Sequence, residues 1–167
     1  MNNNVKKTAI LGAATAAAMI LSYVESLFSF GIPGLKIGLP NIFIVCILYM
    51  YGTASAATVS AVRCVLTALL FGSVMSFWYS IAGAVLSLTV MAVLKKLDKF
   101  STVGVSIAGG VSHNAAQIMV AIAVTGIKQI GYYLPVLIIG GTVAGAVIGI
   151  VAAAVTKKSA AAKISEK

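Results

Sequence analysis

Residues 109–120 read GGVSHNAAQIMV and place His113, Asn114 and Gln117 inside a run otherwise apolar enough to cross a bilayer. His113 and Gln117 are one helical turn apart and share a face. An imidazole exchanges a proton near neutral pH, and amides both donate and accept hydrogen bonds. Glu25, Asn41 and Arg63 stand in other apolar stretches, and Lys36 sits in IPGLKIGLPN. A charged side chain at mid-membrane costs roughly 3 kcal/mol on insertion scales, so Arg63 should face protein or water. Arg63, His113 and Lys36 make an electropositive site suited to a carboxylate, a phosphate or a polarised carbonyl. Asn41, Asn114 and Gln117 add hydrogen bonds, and the abundant Ala, Gly, Val and Ile suit an apolar remainder. An isoprenoid or quinone-like molecule fits both ends, as does a flavin or another vitamin. The competing reading is structural: Glu25 neutralises Arg63 as an ion pair, and the amides hold neighbouring helices together.

The elements that must position these groups follow from composition. The chain has 167 residues, 60% hydrophobic and only 9% charged, which excludes a soluble domain. With roughly 20 apolar residues per crossing, it has room for about six transmembrane helices and little else. Apolar segments fall at about 8–28, 37–52, 54–71, 74–94, 101–126 and 132–156, separated by breaks carrying Gly, Pro, Lys or Asp, with a basic tail over 157–167. The expected fold is an all-α integral membrane bundle in one transmembrane domain. The second and third segments are short, and the break between them, YMYGTAS, carries no charge, so a re-entrant pair is the alternative there. The opening MNNNVKKTAILGAATAAAMIL has the flank and apolar core of a signal peptide. Its apolar run continues to Tyr23 without a cleavage site, so it is expected to be the first helix.

Orientation follows from the lysines. With the N-terminus in the cytoplasm, Lys6, Lys7, Lys95, Lys96, Lys99, Lys157, Lys158, Lys163 and Lys167 fall inside, and only Lys36 and Lys128 fall outside. The net charge of +9 is then a topology signal in a plasma-membrane protein with both termini cytoplasmic. The lysines meet anionic headgroups rather than nucleic acid. Trp78, Tyr79, Tyr132 and Tyr133 fall near the outer interface, Tyr49 and Tyr51 near the inner one. The intramembrane polar groups lie from mid-depth outward, which points to a cavity open to, or capped from, the outside. Residues 28–41, FSFGIPGLKIGLPN, contain Pro33 and Pro40 and cannot be helical throughout. They are expected to form an outer cap, or else an ordinary loop.

Several chemistries find no support. Cys46 and Cys64 lack metal-ligand spacing and read as buried free thiols. Prenyl-chain elongation needs clustered aspartates to hold magnesium against a diphosphate, and the chain has one aspartate, Asp98. There is no phosphate-binding glycine loop for ATP and no sequence-visible Ser-His-Asp set. No intrinsic cofactor or metal and no catalytic residue is expected, and a synthase role would require a separate catalytic subunit. An ion channel is disfavoured by the single acidic residue within the membrane.

The alanine-rich first helix, IPGLKIGLPN, a short helix followed by YGTASAATVSAVR, then LLFG and a later helix with SHN together resemble the membrane-embedded S components of energy-coupling factor (ECF) transporters. Over nearly the full length the chain is similar to the Gx transporter family, also called heptaprenyl diphosphate synthase component I. The resemblance implies a six-helix S-component-like bundle that captures a small molecule near its outer face. It also implies docking on a transmembrane coupling protein driven by two ATPases, so that ATP enters only through partners. In that group a small-residue stripe on helix 1 meets the coupling protein; Ala9, Ala13 and Ala17 repeat at that spacing, as do Ala14 and Ala18, although such residues also pack helices within a bundle. The alternative reading is a non-transporting accessory subunit of an isoprenoid or quinone system, with a soluble prenyltransferase as partner. On helix 6, Gly141, Gly145 and Gly149 are assigned to packing inside the bundle.

Overall fold

The computed structural model describes residues 3–27, 38–71 and 73–165. Among them are α1 (Asn3–Ser26), α2 (Asn41–Tyr51), α3 (Thr53–Phe71), α4 (Val74–Leu97), α5 (Thr102–Thr125), a 3-10 segment (Lys128–Tyr133) and α6 (Leu134–Ser165). The described residues contain no strand, and five of the helices are long and apolar enough to cross a membrane. The protein is an all-α membrane bundle.

Within the segment read as 37–52 the described helix is shorter. α2 has 11 residues, about 16 Å at 1.5 Å per residue, against a hydrocarbon core of about 30 Å. Pro40 sets its start, because proline lacks the N–H that an earlier turn would have to donate. Its other end is the single residue Gly52, whose φ of 87° lies where glycine is favoured, and α3 follows at once. α2 is thus shorter than a full crossing, whereas α3 is long and apolar enough to span. The last helix also runs further than expected: α6 continues through VTKKSAAAKIS, a segment rich in the strong helix formers Ala and Lys.

Polarity in the bundle is inverted relative to a soluble protein. Ser55, Ser60, Arg63 and Thr67 are buried on α3, while Val62, Val65, Leu69 and Leu70 face outward. On α4 the inward positions are Ser80, Gly83, Ala84, Ser87 and Met91. Lipid is as apolar as leucine, so nothing drives Val or Leu inward, and small or polar residues are sorted to the interior where they find partners. The buried apolar cluster of Ile44, Val45, Ile47, Leu48, Ala56, Val59, Met91, Val105, Ile148 and Ala152 fills the lysine-rich end of the bundle. The other half holds the polar interior.

The tightest seam joins α5 and α6. A Cβ built on Gly145 would lie 2.7 Å from Ile107 Cα, and one on Gly149 2.7 Å from Val103 Cα, while Gly110 and Gly141 meet backbone to backbone. The Gly141, Gly145 and Gly149 series packs within the bundle. Cys46 and Cys64 are free thiols, half-buried and buried respectively.

Candidate functional site

The half-length helix α2 begins inside the bundle, with Gly38, Pro40 and Asn41 all buried. The first N–H groups at a helix N-terminus have no partner within the helix. Here those of Asn41, Ile42 and Phe43 donate to Gly38, Leu39 and Pro40 O of the preceding turn, and Glu25 reaches across from α1 to that turn: its Oε1 accepts from Gly38 N at 2.5 Å and from Leu39 N at 3.4 Å. A carboxylate is favourable at the positive end of the helix dipole. The opposite end carries the complementary charge, since Lys95 Nζ donates to Leu48 O at 2.5 Å and stands 5.0 Å from the Tyr49 ring centroid. Both ends of α2 are thus held by side chains of other helices. Glu25→Ala is expected to lower stability by about 2 kcal/mol, as charge-assisted hydrogen bonds to buried backbone are lost. Glu25→Gln, whose carbonyl still accepts, should lose less. Thermal unfolding in detergent measures both, and equal melting of Glu25→Ala and wild type would remove this role.

His113 lies against the entrance of α2. A Cβ on Gly38 would be 3.7 Å from His113 Cδ2 and 3.0 Å from Asn41 Nδ2. On the other side the imidazole rests on Gly83 of α4, where a Cβ would come within 2.6 Å of the ring. His113 Nε2 is 2.9 Å from Gln117 Nε2. An amide nitrogen only donates, so the ring Nε2 accepts and a neutral imidazole carries its proton on Nδ1. Glu25, Gly38, Asn41, Gly83, His113 and Gln117 therefore form one buried polar group where α1, α2, α4 and α5 converge.

Arg63, 5% exposed, occupies the interface of α3 with α1. Its Nη1 donates to Ser22 Oγ at 3.2 Å and its Nη2 to Cys64 Sγ at 3.5 Å, whereas Nε has no partner. Thr67, one turn on along the same face, also leaves its buried Oγ1 without a partner. Among the described residues Arg63 makes no ion pair, so the reading in which Glu25 neutralises it is replaced. The glutamate is turned to the N-terminus of α2. Ser22 and Glu25 lie within one turn of each other on α1, which brings Arg63 alongside the Glu25 group rather than into it.

The remaining expected residues separate. Asn114 is 1% exposed and donates through Nδ2 to Leu137 O of α6 at 2.7 Å, so its known contact is a helix-to-helix bond. Lys36 and most of the expected cap over 28–41 lie outside the described residues. On α1, Ala9 and Ala13 are exposed and Ala17 is half-buried, whereas Ala14 packs on the core and Ala18 is buried. Sequence reasoning missed Ser22, Thr67 and Gly83. The signal for them was spacing: Ser22 with Glu25 and Arg63 with Thr67 are pairs one turn apart, and Gly83 lies one turn from Ser80 and Ser87 on the inward face of α4.

Fold and site together define a multi-pass helical membrane protein built around a buried polar interior whose guanidinium has no carboxylate partner among the described residues. Residues 14–155 match the heptaprenyl diphosphate synthase component I family, and the chain belongs to that family. No curated protein and no solved structure gave a match.

Proposed function

We propose that the protein is a substrate-capturing membrane component, of the S-component kind, that holds a small anionic or amphipathic molecule for uptake by an ATP-driven coupling module. The observation that carries this reading is Arg63. The chain has three acidic residues, Glu25, Asp98 and Glu166. Glu25 bonds to the turn that leads into α2, Asp98 ends α4 on the lysine-rich side, and Glu166 is outside the described residues. A buried cation with a free Nε–H and a neighbouring unpaired hydroxyl suits an oxyanion, because guanidinium offers parallel donors to carboxylate or phosphate. The outer-facing binding side, the plasma membrane and the cytoplasmic termini belong to the same proposal and rest on the lysine distribution. The exposed Ala9 and Ala13 offer a face on which a coupling protein could approach closely.

The family name favours a second reading, in which the chain is the membrane subunit of a heptaprenyl diphosphate synthase and a soluble prenyltransferase is its partner. A chain with one aspartate cannot supply the clustered carboxylates of chain elongation, so in either reading it is non-catalytic alone. Native mass spectrometry of the gently purified protein separates the two. A stoichiometric anionic molecule released on denaturation is expected for the first. A ligand-free protein that co-purifies with a prenyltransferase would replace it with the second.

A further inference from the structure

Between α2, α4, α5 and α6 the bundle encloses a cavity of ≈ 10 Å³ lined by Asn41, Ser87, Ser106, Gly109 and Gly145 among others. Ser87 is 1% exposed, Ser106 3% and Asn41 7%. Helical hydroxyls commonly bond back to the carbonyl one turn earlier, as Thr89, Ser112 and Thr142 do here. Ser87 Oγ is buried without a hydrogen-bond partner, and Ser106 and Asn41 line the same space. Three buried polar side chains from three helices thus face one small space, and buried polar groups without partners are costly.

We propose that this cavity is a specific binding site for a single water molecule that bridges Asn41, Ser87 and Ser106. The volume matches the roughly 10–15 Å³ that one water requires, and the lining supplies the two to four polar partners that hold it. A monovalent cation of similar size fits poorly. The lining contains no carboxylate, and Asn41 opens α2, whose N-terminal end is positive. Water can donate to one group and accept from another, which suits two hydroxyls and an amide. The glycines supply the room: a Cβ on Gly109 would lie 3.2 Å from Ser87 Oγ. The bridge fastens the first turn of α2 to α4 and α5, directly beside the Gly38 and His113 contact.

The test uses the full chain in detergent. A structure at a resolution that shows ordered solvent should contain one density peak within hydrogen-bonding reach of all three groups. Ser87→Ala and Ser106→Ala should each lower the melting temperature, and the double variant should lower it by less than the sum, since both act through one shared water. A peak-free cavity with additive melting would overturn the proposal in favour of a dry cavity. A wild-type melt that rises when sodium chloride replaces choline chloride at equal ionic strength would overturn it in favour of a cation. Should either variant fail to fold, the wild-type density and the wild-type salt comparison decide on their own.

Discussion

Arg63→Met is expected to make the ligand-free protein more stable while abolishing retention of its ligand. Both halves follow from the same buried guanidinium. It is 5% exposed, bonded to one hydroxyl and one thiol, and unpaired with any carboxylate among the described residues. Such a charge costs roughly 2.5–3.5 kcal/mol at mid-helix on insertion scales, and replacing buried ionic groups by apolar ones of similar volume is often stabilising. A hydrogen bond to a charged group is worth about 1.5–3 kcal/mol. Two such bonds from Nε and Nη would make Kd at least roughly 100-fold weaker when lost. Arg63→Lys keeps the charge but not the parallel donors and should fall between. Thermal unfolding and native mass spectrometry, run on the same preparations, give both readouts. A strongly destabilised Arg63→Met that still carries its ligand would show that Arg63 holds α1 to α3 and does nothing for binding.

The largest loss of stability is expected on the α5–α6 seam. In Gly145→Val the new Cβ would sit 2.7 Å from Ile107 Cα and 2.8 Å from Ser106 O. Both are backbone atoms of a helix packed on its other side as well, so the clash cannot be relieved by turning a side chain. A cost of at least about 2 kcal/mol is expected, since overpacking a close-packed interior costs about 1–3 kcal/mol even where side chains can adjust. The control lies on the same helix. Gly140 is exposed and a Cβ there meets nothing within 4 Å, so Gly140→Ala should be neutral or stabilising by up to about 1 kcal/mol through helix propensity. Melting of the two variants in one detergent checks the contrast. Equal stability would mean that the helices separate more easily than their contact implies.

What could be read from the sequence was what depends on neighbouring residues. Hydropathy runs gave the long helices, and GxxxG spacing on α6 gave its close packing. His113 and Gln117 were legible as a pair because one turn joins them. What could not be read depends on where distant segments meet. Arg63 and Ser22 are 41 positions apart, and no local pattern says that the arginine finds a serine rather than Glu25. The role of Glu25 is likewise non-local, since its partner is a backbone N–H at Gly38, 13 positions on. The half-length of α2 was hidden because apolar residues continue on both sides of Pro40, and hydropathy does not register a missing N–H.

The shortness of α2 also bears on how the protein is made. An 11-residue helix joined to α3 by Gly52 alone is too brief to be threaded across a bilayer as an independent segment. It has to enter together with α3, as two arms of one hairpin. One wall of its final slot is α6, which is synthesised after α3, α4 and α5. Seating α2 therefore waits for α6: three further helices must be made before the buried start of α2 and the polar interior around it can close.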